Sequence, residues 1–292
     1  MDKKSDHVRA SVPAWQFWKH LQPQKDVGMS DAEARDAGIL PPLGWQPPGY
    51  SAMERIHSIR AWLQAAFRFP AILRASDALP GVERERYICR ELLGALGVEL
   101  TISGTENCPP AESGAIFMWN QTSHLDHLIL GAIADRRFRS LYNVELSRMP
   151  LYGKWLKRQQ HYLVDRYDED QWRGSIAQAA QDVRERGISI LVSPEGTRSW
   201  DGRLLPMKRG AFILAIEARA PIIPIRIVGA DRALPRGSHI LRRERIQVRF
   251  LEPVDPTPYS QDERAALESL VAARLESPSV SNSGSAEETP GS

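Results

Sequence analysis

The chain has 292 residues, with 38 Lys and Arg side chains against 36 Asp and Glu side chains, so its formal net charge is +2. Apolar residues make up 42% and charged residues 25%, a composition that excludes disordered, collagenous and disulfide-stapled proteins. A chain of this length can bury one large core or two smaller ones. Cys89 and Cys108 form no CxxC pair, which predicts a reducing compartment and no cysteine metal site.

Hydropathy patterns predict where the protein resides. The longest segment without Lys, Arg or Glu, residues 114–134, is interrupted by polar side chains, whereas a membrane span needs about 20 mostly apolar residues. The first residues, MDKKSDHVRASVPAW, contain no apolar core of a secretory signal. We therefore expect a peripheral protein at the cytoplasmic face of a membrane, without a signal peptide or a transmembrane span.

Residues 1–53 are expected to form an irregular N-terminal extension. The aromatic cluster of Trp15, Phe17 and Trp18 is followed by a Pro/Gly-rich stretch over residues 41–49, which disfavours regular structure. Between them, Ser30 and Glu33 have the spacing of a capping box, and Gly38 is suited to end a short helix.

Residues 54–90 are predicted to form an amphipathic helical region, with Pro70 ending or kinking its first helix. Residues 54–74 carry four Arg against one Glu, a local charge of +3. Two interpretations stay open: attachment of residues 54–74 to an anionic membrane surface, or a helix that packs on the domain with a solvated polar face. The apolar stripe consists of Ile56, Ile59, Leu63, Ala66 and Phe67, and Arg60, Arg68 and Arg74 are expected to face lipid head groups.

Between residues 91 and 260, short apolar strands alternate with helical patterns. This alternation predicts one α/β domain with a mixed or mostly parallel sheet. A C-terminal helix is expected over residues 261–276, followed by a disordered Ser/Gly-rich tail over residues 277–292. The predicted strands are Val98–Ser103, Ala115–Trp119, Arg139–Val144, His161–Val164, Ile188–Ser193, Ile222–Val228 and Gln247–Leu251, and the predicted helices are His124–Ala134, Trp172–Arg186 and Arg209–Ala218.

A first polar segment, NQTSHLDH, directly follows the predicted strand 115–119. His124, Asp126 and His127 can form a general base with its orienting carboxylate. The same three side chains can ligate a metal ion. A structural role is the remaining alternative, because Ser123 and Asp126 can simply cap the next helix and place charge in its first turn.

Two further polar segments end apolar strands, where α/β folds place ligand sites. Arg166 suits bidentate binding of a phosphate or carboxylate, or a routine ion pair with Asp165. The segment SPEGTRS follows the strand 188–193 and displays a carboxylate and an arginine around a glycine turn, which can hold a phosphorylated ligand. Lys208 then precedes a helix whose N-terminus attracts anions.

The charge distribution favours an anionic ligand. Residues 136–166 contain eight Lys or Arg against Glu145 and Asp165, a local charge of +6. Such a stretch can attract a phosphate, a coenzyme A, an acidic carrier protein or an anionic bilayer. Nucleic acid is not expected as a partner, because no helix-turn-helix, zinc-finger or RNP-like motif accompanies the charge.

Together these segments resemble the 1-acylglycerol-3-phosphate acyltransferase family, the lysophospholipid acyltransferases of phospholipid synthesis. The likeness covers residues 97–254 and rests on four motifs in order. NQTSHLDHL is similar to the first motif, a His and an Asp separated by four residues, and NVELSRMPLYGKWLKRQQHYLVDR is similar to the stretch that ends in the second. LVSPEGTRSWDGRLLPMKRG resembles the third motif, and APIIPIRIVGA resembles the fourth, with Pro224 at its proline.

The resemblance implies a glycerolphosphate-acyltransferase-like mixed sheet of about seven strands flanked by helices. It also implies a membrane-associated enzyme that moves a fatty acyl group from acyl-CoA or acyl-carrier protein to a lysophospholipid hydroxyl, with no cofactor. In the family, the aspartate that corresponds to Asp126 orients the histidine base. By position, the implied acceptor-binding residues are Arg166, Glu195, Gly196, Thr197, Arg198, Lys208 and Pro224.

The chain departs from the family at the position of the base, which holds Gln121. A glutamine amide has no useful basicity, and general-base assistance typically contributes about 10²–10⁴-fold in rate. Three interpretations follow: His124 supplies the base from about one helical turn further on; Gln121 only positions an acceptor that needs less help, such as an amine; or the chain binds lipid or acyl carrier without turnover. The first is the main prediction, with His124 and Asp126 catalytic and Gln121 in contact with substrate.

A metal-dependent hydrolase built on His124, Asp126 and His127 is the alternative from another chemistry. Its signature would place a histidine at position 122, where the chain has Thr122. It also leaves the segment over residues 195–198 without a role. The acyltransferase interpretation accounts for both segments, so it is preferred.

Overall fold

The structure is a computed structural model that describes residues 29–148, 152–165 and 167–277. The aromatic cluster of Trp15, Phe17 and Trp18, the side chain of Arg166, and residues 278–292 of the expected tail lie outside the described residues. The helices are α1 (Asp31–Asp36), α2 (Ala52–Ser76), α3 (Gly81–Leu96), α4 (Leu125–Ile133), α5 (Tyr152–Arg158), α6 (Glu169–Arg186), α7 (Arg209–Ala218), α8 (Ala230–Ala233) and α9 (Arg264–Glu276). The strands are β1 (Glu99–Ser103), β2 (Ile116–Trp119), β3 (Phe138–Asn143), β4 (Tyr162–Val164), β5 (Ser189–Val192), β6 (Ile222–Val228) and β7 (Arg245–Phe250).

The strands form one seven-stranded sheet in the order β1-β7-β6-β2-β5-β3-β4. The pair β6–β7 is antiparallel and the other neighbours are parallel, so the prediction of a mixed, mostly parallel α/β sheet is confirmed. β2 lies between β5 and β6, with Met118 opposite Val192 on one side and Pro224 on the other. The carboxyl ends of these parallel strands therefore meet at one edge of the sheet.

Helices cover both faces of the sheet. Alternate residues of β2 point to opposite faces, so Phe117 packs in one apolar cluster with α2, α3, α4 and α8. Met118 packs in the second cluster with α6, α7 and α9. Because α9 packs against α7 and β6, the C-terminal helix completes this second layer of the domain.

Helix α2 differs from its prediction in two ways. It begins at a capping box of Ser51 and Glu54 and continues through Pro70 to Ser76, so the proline does not end the helix. Its small side chains, such as Ala61 and Ala65, face the domain. The large apolar stripe faces outward, with exposed fractions of 51% for Ile56, 57% for Ile59, 64% for Leu63 and 88% for Phe67. The interpretation that this stripe packs on the domain was therefore wrong.

Helix α3 was not resolved as a separate element by sequence patterns. It runs from Gly81 to Leu96 and packs along both α2 and α4. The boundary expected between residues 90 and 91 falls inside this helix. The helix ends at Gly97, whose backbone adopts a φ of 72°, a left-handed conformation that favours glycine. The short helix predicted after Ser30 is confirmed as α1, with its capping box.

Candidate active site

The first and third sequence motifs follow β2 and β5 at the carboxyl edge of the sheet. Asn120, the first residue after β2, donates from Nδ2 to the carbonyl of Ile227 at 2.8 Å and accepts the Ile227 N–H at 2.7 Å. This amide side chain therefore replaces ladder hydrogen bonds and ties the end of β2 to the neighbouring strand β6. The residues that follow Asn120 are held at a fixed position above this edge.

The backbone of Gln121 is held between two parts of the third motif. Its N–H donates to Oε1 of Glu195 at 2.8 Å, and its carbonyl accepts the N–H of Ser199 at 2.8 Å. The other carboxylate oxygen of Glu195 accepts the N–H of Leu205 at 2.7 Å. Glu195 is only 1% exposed, so its carboxylate is an internal anchor that joins three chain segments. The position that replaces the family histidine is thus tightly fixed in the backbone.

Asp126 is fully buried at the start of α4. Its Oδ2 accepts the N–H of Thr122 at 2.7 Å and that of Ser123 at 3.0 Å, and Ser123 Oγ accepts the N–H of Leu125. These bonds are the capping role that the sequence left open. Asp126 Oδ1 has no hydrogen-bond partner among the described residues, and no hydrogen bond joins Asp126 to His124. The expectation that Asp126 orients the His124 ring is therefore not met in this structure.

Two buried carboxyl groups lie in this region. Burial raises the pKa of Asp126 to about 7, against the opposing effect of the backbone N–H groups and of Arg198. Burial also raises the pKa of Glu195 to about 7, and the charge of Asp126 raises it further. Both carboxyl groups therefore have pKa values near neutral pH.

His124 and His127 flank the buried Asp126 in the sequence, and both residues are exposed. Desolvation by the surrounding protein, followed by the charge of Arg198, lowers the pKa of each imidazole to about 4. Both rings are therefore neutral at physiological pH and carry a free lone pair. His127 also contacts Trp119 edge to face, with ring centroids 5.8 Å apart. Neutral imidazole is the form that can accept a proton.

Arg198 brings a cation to the same place. Its side chain is half-buried, and Nη1 is buried without a hydrogen-bond partner among the described residues. Its charge lowers the pKa values of His124, Asp126 and His127. A buried donor and a buried acceptor, both unpartnered, mark this as a site built for a polar ligand.

The remaining residues of the third motif surround a turn. Gly196 has a φ of 66° and is exposed, Thr197 is half-buried, and Lys208 is the exposed N-terminal cap residue of α7. The Lys208 N–H donates to the carbonyl of Pro194 at 2.6 Å, which closes the loop of residues 194–208. The loop therefore returns its lysine to the beginning of the motif, beside the glycine turn.

Residues 99–228 match the family model described as Acyltransferase. The chain is 29% identical over 173 residues to a 1-acyl-sn-glycerol-3-phosphate acyltransferase from Cocos nucifera, with 59% of this chain and 55% of the relative covered. It is 30% identical over 166 residues to the enzyme of that name from Limnanthes alba, with 57% and 58% covered. Residues 99–228 of the chain are therefore similar to the acyltransferase family. The chain spans a little over half the length of these curated relatives.

The fold of this chain also has a structural relative. The crystal structure of the 1-acyl-sn-glycerophosphate (LPA) acyltransferase PlsC from Thermotoga maritima matches with a TM-score of 0.60 and 20% sequence identity. The match covers 77% of this chain and 95% of that chain. The two proteins share the same α/β architecture.

The structure brings together Gln121, His124, Asp126, Glu195 and Arg198. Pro224 is not at this edge: it is buried inside β6, and its carbonyl accepts the N–H of Leu251 at 2.8 Å. The expected contact between Pro224 and substrate is corrected to a role within the sheet. Arg166 lies outside the described residues.

Sequence patterns did not indicate several residues that shape this candidate site. Arg236 is buried and donates to the carbonyl of Arg198, and Ser199 and Leu205 contribute backbone donors. Only the unusual order Pro235-Arg236-Gly237 in a loop could have drawn attention to the arginine. Backbone donors leave no signature in side-chain type.

Two further expectations concern metal ions and membranes. Among the described residues, no group of three or more His, Cys, Asp and Glu side chains converges as metal ligands require. His124, Asp126 and His127 are therefore not arranged as the alternative hydrolase site would need. Within the same part of the chain, no helix combines the length and apolar character needed to cross a bilayer.

Proposed function

We propose that this chain transfers a fatty acyl group from a thioester, acyl-CoA or acyl-carrier protein, to the free hydroxyl of a 1-acylglycerol-3-phosphate-like lysophospholipid. One observation carries the proposal: the backbone of Gln121 is locked between Glu195 and Ser199. Asp126 and Arg198 belong to the two segments that this lock joins, and Oδ1 of the first and Nη1 of the second are buried without a hydrogen-bond partner among the described residues. The family match and the names of the relatives support the same reaction class.

The transfer is a direct attack of the acceptor hydroxyl on the thioester carbonyl. A C–O bond forms, the C–S bond breaks, and the thiol leaves with a proton. We assign His124 as the group that takes the hydroxyl proton, because its ring is neutral, accessible and beside Arg198. A base with a pKa of about 4 is weak, so its contribution falls at the lower end of the 10²–10⁴-fold range of general-base catalysis.

The acceptor phosphate is assigned to the basic side of the site. Arg198 offers a buried donor, and Lys208 offers an exposed ammonium at the N-terminus of α7, where the helix dipole also favours an anion. Gly196 and Thr197 form the turn between them, and Arg166 adds a further cation by its position in the second motif. In this assignment Gln121 contacts the acceptor through its amide, without acting as a base.

An assay with purified protein tests the reaction. Acyl-CoA and acyl-carrier protein are each offered with a panel of lysophospholipids, and the products are identified by mass spectrometry. Formation of a diacyl product is expected, whereas a protein inert to every donor and acceptor would contradict the proposal. An amine acceptor used in preference to all hydroxyl acceptors would favour the second interpretation of Gln121.

Two variants test His124. His124→Ala is expected to lower kcat by about 10²-fold, while His127→Ala serves as the matched control and retains most activity. In the His124→Ala background, Gln121→His is expected to restore activity, because Asp126 Oδ1 is free to accept a proton from a ring nitrogen at that position. Full activity of His124→Ala alone would remove His124 from the mechanism.

We also infer that α2 attaches the protein to a membrane surface. Its outward stripe of Ile59, Leu63 and Phe67 is more than half exposed, and the helix carries exposed arginines. Arg68 is partly occupied by an ion pair with Glu91 at 2.9 Å. Such a stripe flanked by cations has the chemistry of a helix lying in the plane of a bilayer.

Sedimentation with vesicles of phosphatidylcholine and phosphatidylglycerol tests this attachment. Replacing Phe67 and Leu63 together by serine is expected to weaken binding at least tenfold, since each loses about 1.5–3 kcal/mol of apolar burial. Gln64→Ser, on the same exposed helix, is the matched control and should bind normally. Absence of wild-type binding at low salt would contradict the inference.

A further inference from the structure

A buried arginine outside all four motifs contacts the acceptor-binding loop. Arg236 is 2% exposed, and its Nη1 donates to the carbonyl of Arg198 and, at 2.6 Å, to the carbonyl of Gly38. Its guanidinium lies 4.1 Å from the centroid of the Trp200 ring. An arginine that loses its hydration to bind two carbonyls needs a strong local reason.

The carbonyl of Gly38 belongs to a segment, residues 38–50, that we call the N-terminal strap. The strap lies over the loop of residues 194–208. Trp200 Nε1 donates to the same Gly38 carbonyl at 3.1 Å, and Trp45 Nε1 donates to the Trp200 carbonyl at 3.2 Å. The two tryptophan rings meet edge to face at 5.0 Å between centroids. The strap and the loop are thus joined on both sides of Trp200.

Gly38 also contacts the loop directly. Its φ is 68°, and a Cβ at this position would overlap the side chain of Leu205. The N–H of Leu205 is one of the two backbone donors that hold Glu195. The strap therefore approaches both ends of the third motif: the Arg198 backbone through Arg236, and the Glu195 carboxylate through Leu205.

We propose that Arg236 is a positioning residue for acceptor binding, which fixes the backbone of Arg198 against the N-terminal strap so that the Arg198 guanidinium faces the substrate phosphate. This role rests on the proposed function. It follows from geometry, because Arg236 binds the carbonyl of Arg198 while Nη1 of Arg198 is buried without a hydrogen-bond partner among the described residues. Arg236 itself is buried and acts through Arg198.

The test measures acceptor and donor KM separately. Arg236→Met is expected to raise the KM for the lysophospholipid about tenfold, the effect of losing one charge-assisted hydrogen bond, with the donor KM unchanged. Arg236→Lys, which keeps the charge and part of the donor set, should recover a share of this loss. Equal rises in the two KM values would overturn the proposal.

Arg136 provides a matched control. It is 5% exposed, donates to the carbonyls of Pro109 and Pro110 and lies 5.2 Å from the centroid of the Phe117 ring, but contacts no part of the third motif. Arg136→Met should cost similar thermal stability and leave the acceptor KM unchanged. A rise in acceptor KM equal to that of Arg236→Met would show a general effect of destabilisation and overturn the positioning role.

A double-mutant cycle separates positioning from a structural effect. If Arg236 acts through Arg198, then Arg236→Met has no further effect on acceptor KM in an Arg198→Met background. Multiplying effects would overturn the proposal. If Arg236→Met does not fold, Trp200→Phe, which removes the bond to Gly38 and reduces the ring that contacts Trp45 and Arg236, should raise acceptor KM about threefold, and an unchanged KM would overturn the proposal. A wild type inert to all acceptors would instead refute the proposed function itself.

Discussion

Two buried aspartates lie at opposite edges of the sheet, and their surroundings differ. Asp182 lies where β3 and β4 begin, and both of its oxygens are partnered: Oδ2 accepts from Arg139 at 2.5 Å and from Tyr162 at 2.6 Å, and Oδ1 accepts from Arg186 at 3.1 Å. Asp126 lies where β2 has ended, with one oxygen held by two backbone N–H groups and the other without a partner. Both aspartates are buried, but only Asp182 has hydrogen-bond partners for both of its carboxylate oxygens within the described part of the chain.

The pKa values follow this difference. Burial raises the pKa of Asp182, but hydrogen bonds from Tyr162 and Arg186 and the charge of Arg139 outweigh burial and hold it below its usual range. Burial prevails at Asp126, whose pKa rises to about 7. A carboxylate whose two oxygens are both hydrogen-bonded stabilises the fold. A buried carboxylate with one oxygen unpartnered can bind a ligand or a proton.

The largest expected effect is on activity at Asp126. Asp126→Asn keeps an acceptor oxygen for the N–H groups of Thr122 and Ser123, so the helix cap and the thermal stability should survive. The site loses its buried negative charge, and we expect kcat/KM to fall by about 10²–10⁴-fold. Steady-state kinetics and a thermal melt on the same sample check both statements. A stable variant with wild-type kinetics would reduce Asp126 to a helix cap.

The opposite outcome is expected at Asp182. Asp182→Ala leaves the Arg139 guanidinium buried with its anion removed, which should lower the free energy of unfolding by about 3–5 kcal/mol. Activity per folded molecule should be unchanged, because this cluster lies at the far edge of the sheet. Urea unfolding measures the first effect and kinetics at low temperature measure the second. A loss of activity without a loss of stability would reverse the assignment.

Sequence patterns anticipated the fold better than the site. All seven strands and the helices α4, α6, α7 and α9 lie where periodicity placed them, because alternating and helical apolar spacing reports burial directly. The same spacing predicted helix α2 but did not show which of its faces packs inward. The large apolar stripe faces outward and small residues pack against the domain. Spacing shows that a helix has an apolar face, but the direction of that face depends on what packs against it.

The site shows a similar limit. The motifs located Asp126 and Glu195, but sequence spacing suggested a pair between His124 and Asp126, which the structure does not contain. Asp126 instead binds backbone N–H groups, and Glu195 does the same with Gln121 and Leu205. Contacts to the backbone depend on how the chain folds rather than on residue type, so a sequence motif does not predict them. Arg236 escaped notice for the same reason, since its partners are carbonyls.

The two aspartates are expected to contribute oppositely to the pH dependence of stability. The pKa of Asp126 is raised from the ordinary value to about 7, so the folded state binds its proton more tightly and is stabilised as pH falls through 7, the gain being complete below about 4. Asp182, with a lowered pKa, contributes stability that is present above about pH 4 and lost at lower pH as its folded form is protonated.

Comparison of variants isolates these contributions. Between pH 5.5 and 8, the stability of Asp126→Asn relative to wild type should rise by about 2 kcal/mol, because only the wild type must ionise Asp126 in that range, whereas Glu195 ionises in both proteins. The pKa values of His124, His127 and His161 are lowered to about 4. These histidines therefore reduce the stability of the folded protein as pH falls, and they do so equally in the wild type and the variant. Urea titrations at the two pH values give the difference, and a constant difference would contradict the raised pKa of Asp126.

The smallest expected effect contrasts two arginines. Arg139 donates to Asp182, to Tyr162 and, at 2.9 Å, to Gln160, whereas Nη1 of Arg198 is unpartnered. Arg198→Lys keeps the charge but loses the planar fork, so we expect the acceptor KM to rise about tenfold with little change in stability. Arg139→Lys should leave KM unchanged and lower stability by about 1–3 kcal/mol, because both terminal nitrogens of Arg139 are hydrogen-bonded among the described residues, although its Nε is not. If both lysine variants changed stability and neither changed KM, Arg198 would have a structural role like that of Arg139. Its unpartnered nitrogen would then not mark a substrate contact.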